Sequence, residues 1–457
     1  MGRGAGFLDE AWACLGGRPG TVARTGPDVT LPARLPVTEL AGATVAAASL
    51  AAAELAEARG AGRPAVRVDS RAVAVAFAGE RHLRVDGKAE PSFAPLSRFW
   101  RAADGWVRTH GNYPHHRDRL LRALGLEVSL TDPVPAVEKT IAAASAAEVE
   151  ASVQAAGGLA VAVRTPAAWA AHPQGAHVAA LPLLRLTRAG DAPARPLGPV
   201  PSGPLLPMAG LRVLDLTRVI AGPVGTRTLA LLGADVLRVD SPRLPEIPAQ
   251  HLETGAGKRS ALLDLDEAAG RTRLSELLGA ADVVVTGYRP GALDRYGLSP
   301  AALAAERPGL IVACLSAWGS IGPWADRRGF DSLVQAASGI AVTEAGGDPA
   351  PGALPVQALD HGTGYLLAAV VMRAVTRRAA EGGGWHAELS LAQTAAWLLR
   401  RPAAPDAAAA GFDPSPYLAE SGGIRRALPP IDLGGGPRTW AHPVTPWGSD
   451  TPSWRPR

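Results

Sequence analysis

The chain has few cysteines and few lysines. Its two cysteines, Cys14 and Cys314, cannot form a disulfide framework and are typical of a protein kept in a reducing cytoplasm. Lysine occurs only at Lys88, Lys139 and Lys258, so arginine carries almost all of the positive charge. Because the net charge is only +4 over 457 residues, the composition gives little support for nucleic-acid binding.

Long apolar runs are also scarce. The first 17 residues contain no apolar segment of the kind that a secretory signal needs. The most apolar stretch, 40–55, is rich in alanine and is bounded by Glu39 and Glu57, which favours a buried helix over a membrane span. With 47% hydrophobic and 19% charged residues, the composition indicates a globular protein. We therefore expect a cytoplasmic protein without a membrane partner.

Proline and glycine divide the chain into segments. A Pro/Gly-rich stretch at 191–208 predicts a linker, and a second Pro/Ala/Gly-rich zone at 401–457 predicts a C-terminal linker or tail. Between them, in 209–400, buried strands alternate with helices, which predicts a Rossmann-like α/β domain with a doubly wound parallel sheet. Ahead of the linker we expect a helix and a strand in 1–79 and a small α+β domain in 80–190. The length fits two or three domains.

The expected elements follow from hydrophobic patterning. In the second half we predict a helix over 223–234 and four strands, at 211–216, 235–240, 281–287 and 309–319. In the first half we predict a helix over 37–59 and a strand over 65–78.

One internal repeat is visible. Residues 35–68 are similar to 354–389, and the match runs from a shared Leu-Pro-Val through a long helix and a Gly-rich turn into a strand. Aligning the two copies places Ala41 opposite Asp360. The first copy is therefore degenerate at the position where the second carries a carboxylate.

Several nucleotide and metal motifs are absent. The turn after the first strand reads TRVIAGPVGT and lacks a GxGxxG fingerprint, so Asp240 at the end of the next strand gives little support for an NAD site. Residues 255–260 imitate a P-loop but place Arg259 where Ser or Thr is needed. His115 and His116 have no partner at metal-ligand spacing, so we interpret them as surface or substrate-cleft residues and predict no metal site.

The positive signal is a series of blocks between residues 209 and 398. They read AGLRVLDLTRVIAGPVGTRTLALLGADVLRVD, GKRSALLDL, ADVVVTGYRPGALDRYGLS, GLIVACLSAWGSIGPWADRRGFDSLVQAASGI and LPVQALDHGTGYLLAAVV. In this order they resemble the family III CoA-transferases of the CaiB/BaiF type. That superfamily includes formyl-CoA transferase, carnitine CoA-transferase and alpha-methylacyl-CoA racemase.

The resemblance implies that the large domain binds coenzyme A and not NAD. The family's CoA-contacting positions fall on Val219, Ile220, Ala221, Lys258, Gly287, Tyr288, Arg295 and Arg328. Arginine suits this task because a guanidinium can bind phosphate through two hydrogen bonds. The implied partners are an acyl-CoA and a carboxylic acid, with no cofactor beyond coenzyme A as substrate.

The resemblance also implies a catalytic residue, Asp360, which follows the aromatic Phe330 by thirty residues. A carboxylate can attack a thioester and form a covalent intermediate without a metal. The alternative is that Asp360 only caps the helix after it, and a helix N-terminus would keep the carboxylate ionised. Racemases of the superfamily have histidine in place of Phe330, and phenylalanine cannot carry a proton. We expect His361 to point away from the site.

The first half resembles the family in an altered order. Segments between residues 104 and 186 resemble the small domain that ordinarily follows the large one, and 35–78 resemble the end of a large domain. The chain therefore reads as a permuted or truncated tandem, and no glycine-rich lid is recognisable before Asp104. We expect a CoA-transferase that forms an interlocked homodimer. An acyl-CoA racemase or isomerase and a non-catalytic CoA-binding subunit remain alternatives.

Overall fold

A computed structural model describes residues 6–18, 20–26, 29–91, 93–404 and 411–456. The helices in these residues are α1 (Phe7–Leu15), α2 (Val37–Ala58), α3 (Ser70–Phe77), α4 (Gly79–His82), α5 (Pro114–Ala123), α6 (Val134–Ala142), α7 (Ala146–Ala155), α8 (Pro166–Ala171), α9 (Pro173–Ala179), α10 (Ala221–Leu231), α11 (Pro248–Thr254), α12 (Ala268–Ala280), α13 (Pro300–Glu306), α14 (Asp331–Ser338), α15 (Ile340–Ala345), α16 (Ala358–Glu381) and α17 (Leu391–Leu399).

The strands in the same residues are β1 (Val22–Thr25), β2 (Val66–Asp69), β3 (Arg84–Val85), β4 (Lys88–Ala89), β5 (Phe99–Arg101), β6 (Trp106–Thr109), β7 (Ala160–Ala162), β8 (Leu184–Ala189), β9 (Arg212–Leu216), β10 (Asp235–Asp240), β11 (Arg259–Leu262), β12 (Val283–Thr286), β13 (Ile311–Ser316), β14 (Gly384–Ser390), β15 (Leu418–Ser421), β16 (Ile424–Ala427) and β17 (Asp432–Leu433).

The largest sheet confirms the expected fold class. Its strand order is β11-β10-β9-β12-β13-β14-β8, and every neighbouring pair is parallel except β14 and β8. Alternate residues of the central strands face opposite sides. Val213 and Val283 pack into one apolar cluster with α10 and α16, and Leu214 and Val284 into a second with α12. Both faces are therefore covered, which explains why these strands read as continuous apolar runs.

The predicted strands of the second half are confirmed as β9, β10, β12 and β13, and the predicted helices as α10 and α2. The predicted strand over 65–78 is wrong. Only 66–69 is extended, and α3 begins at Ser70 because the Asp69 carboxylate accepts the backbone N–H of Arg71 at 2.8 Å and caps the helix. The prediction failed because the apolar residues of 72–77 follow an alternating pattern that is typical of a strand.

The two copies of the repeat pack against each other as α2 and α16. A Cβ atom on Gly362 would lie 2.9 Å from Leu40 Cδ2, so the helices touch closely near their first turns. Nearer their ends, Glu54 and Arg373, which are 319 positions apart, form an ion pair in the core. The two helices therefore run side by side in the same direction. The 22 residues of α2 are long and apolar enough to cross a membrane, and here they are mostly buried in the core.

The segments outside the large sheet are joined to it. Strand β8 pairs antiparallel with β14 and so completes the large sheet from the first half of the chain. Residues 191–208, all of them described, contain no helix or strand. Beyond 401 the chain forms β15, β16 and β17, and Trp447 Nε1 donates to Asp240 Oδ2 at 3.0 Å. Residues 405–410 and 457 of the expected tail lie outside the described residues. The domain boundaries stay a prediction.

Candidate active site

A cavity of about 800 Å³ lies at the carboxyl ends of the parallel strands. Its wall includes Leu216 and Asp240, the last residues of β9 and β10, and Gly287 and Ser316 at the ends of β12 and β13. Ligands of open parallel α/β sheets bind at this edge, because the loops there diverge from neighbouring strands. We call it the arginine cavity.

Guanidinium groups give this cavity its positive charge. Its wall includes Arg218, Arg243, Arg289, Arg295, Arg327 and Arg328. Arg295 is exposed and already bound, since it lies 3.1 Å from Asp266 and also contacts Tyr296. The pKa of Arg328 is lowered, first by partial burial and then by the charges of Arg119 and Arg289. Carboxyls such as Asp264 and Asp266 line the same wall and are paired with Arg243, so Arg289 and Arg328, which form no ion pair with a described residue, are the guanidinium groups best placed to bind a phosphate.

The structure brings most of the predicted site residues together. Seven of them line the arginine cavity: Val219, Ala221, Gly287, Tyr288, Arg295, Arg328 and Asp360. Ile220 is buried and lines a second cavity beside the first.

Lys258 is the exception among the predicted positions. It is 3% exposed, and its Nζ lies 3.0 Å from Oδ2 of Asp215 at the end of β9. Burial lowers the pKa of Lys258 to about 8, and the Asp215 carboxylate opposes that fall. Because the ammonium is paired inside the sheet edge and lines neither cavity, the expected contact between Lys258 and coenzyme A has no support from this geometry.

The second cavity, of about 530 Å³, adjoins the first, and we call it the acid cavity. Val219, Phe330 and Asp360 line both cavities, so they stand at the junction. The rest of its wall is contributed by residues of both halves of the chain, including Leu83, Phe93, Pro95, Ile247 and Val356. A ligand in either cavity therefore reaches Asp360.

Val219 has an unusual backbone at this junction. Its φ is 72°, in the left-handed region that β-branched residues avoid. Such backbone strain is concentrated at binding and catalytic sites. The distorted turn leads from β9 to Ile220, which precedes the first residue of α10, and so places Val219 and Ile220 on the cavity walls.

Asp360 belongs to the first turn of α16 but does not cap it. The helix begins at Ala358, so Asp360 is its third residue and Gln357 holds the cap position. The carboxyl is buried, and its pKa is raised well above the usual value, first by loss of solvent and then by the charges of Asp331 and Glu80. Burial and the neighbouring acids therefore oppose the ionisation of Asp360 that the helix N-terminus is expected to favour.

Asp331 is a second buried carboxyl beside Asp360. It is the first residue of α14 and accepts the backbone N–H of Asp360 at 3.0 Å and the side-chain amide of Gln335. Burial raises the pKa of Asp331 to about 6, and these hydrogen bonds oppose the rise. The sequence offered one signal for it, since Asp331 directly follows Phe330.

Histidines from the first half of the chain surround Phe330. The ring of His110 is stacked on that of Phe330, with centroids 3.7 Å apart and an interplanar angle of 3°. His116 meets the same ring edge-on at 5.7 Å. His115 and His116, which the sequence placed either on the surface or in a substrate cleft, line the arginine cavity. His110 lines the acid cavity. His361 lines neither cavity, and its Nε2 lies 2.8 Å from Oε1 of Glu80, which does line the acid cavity.

The second half of this chain is similar in sequence to known proteins. The sequence profile of CoA-transferase family III matches residues 208–433. An acetyl-coenzyme A transferase of Hypoxylon pulicicidum is 37% identical over 206 residues, which cover 44% of this chain and 35% of that protein. A succinate–glutarate CoA-transferase of Agrobacterium fabrum is 30% identical over 203 residues, which cover 40% of this chain and 51% of that protein.

Solved structures match a similar share of the chain. A crystal structure of a hypothetical protein of Mycobacterium tuberculosis is 33% identical, with a TM-score of 0.41, and the match covers 44% of this chain and 57% of that one. A CaiB/BaiF family protein of Brucella suis is 31% identical, with a TM-score of 0.39 and coverage of 44% and 59%.

The chain spans about a third to a half of the length of the curated relatives it matches. The matched residues 208–433 contain strands β9 to β13, whose carboxyl ends border the arginine cavity. They also contain Asp360. His110, His115 and His116 lie outside them. By the profile match and these relatives, residues 208–433 of the chain are similar to CoA-transferase family III.

Proposed function

We propose that this chain transfers coenzyme A from an acyl-CoA to a carboxylic acid through a covalent intermediate on Asp360. One observation carries the proposal: Asp360 lies where the arginine cavity meets the acid cavity. The arginine cavity suits the pyrophosphate and 3′-phosphate of coenzyme A. The acid cavity has room for an acyl group or an organic acid. The name of the Agrobacterium relative, a succinate–glutarate CoA-transferase, supports carboxylic acids as substrates.

The first half of the reaction moves coenzyme A onto the protein. The Asp360 carboxylate attacks the thioester carbonyl, the carbon–sulfur bond breaks, and coenzyme A leaves as a thiolate. This step forms an anhydride between Asp360 and the acyl group. The thiolate then attacks the aspartyl carbonyl of the anhydride, releases the donor acid as a carboxylate, and leaves an aspartyl-CoA thioester.

The second half repeats these steps in reverse with the acceptor. The acceptor carboxylate attacks the aspartyl thioester, expels the thiolate, and forms a new anhydride. The thiolate attacks the acceptor's carbonyl carbon, which yields the new acyl-CoA and restores the Asp360 carboxylate. The buried site contributes to the first attack, because an ionised carboxyl with a raised pKa is more basic and therefore a stronger nucleophile.

Incubation with a panel of acyl-CoAs, followed by mass spectrometry, tests the proposal. We expect a coenzyme A adduct on the peptide that contains Asp360. Asp360→Asn should lose the adduct and the transfer while retaining binding of coenzyme A. Asp326→Asn, at an exposed position outside both cavity walls, is the matched control. Binding of coenzyme A with neither adduct nor transfer would favour a non-catalytic CoA-binding subunit.

A second candidate is racemisation or isomerisation of an acyl-CoA. It needs two proton carriers on opposite faces of the α-carbon. Phe330 cannot serve, but the stacked imidazole of His110 beside it could accept a proton. Deuterium appearing at the α-carbon of a 2-methylacyl-CoA without an acceptor acid would support this activity. We expect no such exchange and retain the transferase as the main proposal, with a cytoplasmic homodimer as its expected setting.

A further inference from the structure

The acid cavity contains charged groups that repel an organic acid. Besides Asp360, the carboxyls of Glu80, Glu90, Asp331 and Glu253 line its wall, together with one guanidinium, that of the exposed Arg81. Glu80 is paired with His361, and Glu253 with Arg227. A carboxylate that enters beside Asp360 therefore needs hydrogen-bond donors close to its own oxygens, because an unpaired buried charge is costly.

His110 is a buried polar group that lacks a side-chain hydrogen-bond partner among the described residues. The residue is 4% exposed and lines the acid cavity. Its Nδ1 is buried and has no hydrogen-bond partner among the described residues. Buried polar atoms are nearly always satisfied, so an orphaned imidazole in a cavity wall points to a ligand.

The imidazole is neutral in its surroundings. Burial and, after it, the charge of Arg108 lower the pKa of His110 to about 3. A neutral imidazole carries one N–H donor and one acceptor nitrogen. It therefore offers a donor for a carboxylate or carbonyl oxygen without forming an ion pair with Asp331 or Asp360.

Asn112 presents a second donor to the same cavity. Its Oδ1 accepts the backbone N–H of Ala94 at 3.0 Å and the hydroxyl of Ser97 at 2.6 Å. Because the oxygen is held by two donors, the amide NH₂ is the group left for other partners. Asn112 lines the acid cavity together with His110, two residues earlier in the chain.

We propose that His110 and Asn112 form a neutral donor pair that binds the carboxyl oxygens of the organic acid, or the carbonyl oxygen of the acyl group, beside Asp360. The pair deepens the proposed transfer and rests on it. Both residues lie outside the segment that matches the family profile, so the first half of the chain supplies acid recognition to a site whose nucleophile comes from the second half. The ligand class is a carboxylic acid or its acyl thioester.

Two variants of His110 separate hydrogen bonding from packing. His110→Phe keeps an aromatic ring against Phe330 but has no donor, whereas His110→Gln keeps a donor but loses the stack. If the role is only structural, Phe should be tolerated better than Gln. If the role is recognition, Gln should retain more acid affinity than Phe.

A third variant tests Asn112. Asn112→Asp keeps an oxygen for the Ala94 N–H and the Ser97 hydroxyl, so the loop is preserved, but it replaces the free amide with a negative charge. His442→Phe is the control, since His442 lines neither cavity.

The experiment measures binding of acetate, propionate and succinate to the full chain saturated with coenzyme A, by saturation-transfer difference NMR, and the KM for the same acids in the transfer assay. Losing one hydrogen bond to a charged ligand should weaken the acids by about 10-fold or more in His110→Phe and Asn112→Asp. Affinity for coenzyme A and the melting temperature should stay near those of the wild type.

Each outcome decides the proposal. Unchanged acid affinity and KM in His110→Phe and Asn112→Asp would overturn it while leaving the transferase intact. Acids that fail to bind the wild type would overturn it as well. Failure of the proposed function has a different signature, in which the acids bind in a His110-dependent manner but no coenzyme A moves and no adduct forms on Asp360.

Discussion

The backbone N–H of Asp360 donates to Oδ2 of Asp331 at 3.0 Å. This bond joins the first turns of α16 and α14 and holds two carboxyls in one buried site. Each carboxyl disfavours ionisation of the other, so the state of Asp331 sets the pH at which Asp360 becomes a carboxylate.

Asp331→Asn should shift the pH dependence of the reaction. Formation of the adduct needs ionised Asp360, so its rate in the wild type should rise with pH through the raised pKa of that group. Removing the neighbouring charge lowers that pKa, and the rising limb should move to lower pH. Single-turnover rates from pH 4 to pH 9 measure the shift. An unmoved limb would show that Asp331 does not control the nucleophile.

The same variant should change stability with a defined sign. The folded-state pKa of Asp331 is raised to about 6, above its value in the unfolded chain, so the native state holds this proton more tightly. Stability from this group is present below about pH 4 and is lost as pH rises through about 6. Asp331→Asn should remove that decline, on the order of 1–3 kcal/mol, from the free energy of unfolding measured in urea at several pH values.

Arg328→Ala should weaken coenzyme A binding more than Arg295→Ala does. Arg295 is exposed and held by Asp266 and Tyr296, so its net gain from a phosphate should be below about 1 kcal/mol. Arg328 forms no ion pair with a described residue, and its loss should cost about 1.5–3 kcal/mol, as for a hydrogen bond to a charged group. Calorimetry with coenzyme A measures both. Arg273→Ala, on the surface of α12 and paired with Glu276, is the control.

Glu54 and Arg373 hold the two repeat helices together. Both side chains are buried, and Arg373 also donates to the carbonyls of Leu15 and Gly16. Glu54→Ala leaves a buried guanidinium without its acid and should cost roughly 3–5 kcal/mol of unfolding free energy. Glu57→Ala, which breaks the exposed pair with Arg18, should cost less than about 1 kcal/mol.

A double-mutant cycle completes this test. Adding Arg373→Met to Glu54→Ala should recover part of the loss, because it removes the unpaired charge. If the losses of unfolding free energy in Glu54→Ala and in Arg373→Met add up to the loss in the double variant, the two helices are not coupled through this pair.

The sequence predicted the sheet better than the site. Strands such as β9 and β12 are buried on both faces. Their continuous apolar runs, separated by helices, were therefore enough to predict a parallel sheet. The Asp215 partner of Lys258 lies 43 residues earlier in the chain, and such a distant pairing leaves no local pattern. The contact between His110 and Phe330 likewise joins the two halves of the chain, and spacing alone could not show it.

Both cavities are lined by residues of a single chain, which has a consequence for assays. One polypeptide contributes the nucleophile, the arginines and the proposed acid-binding pair. Catalysis that depended on a partner's side chains would fall away on dilution as the complex dissociates. If catalysis uses only these residues in cis, turnover per molecule should stay constant down to nanomolar protein, and a fall on dilution would show that a partner completes the site.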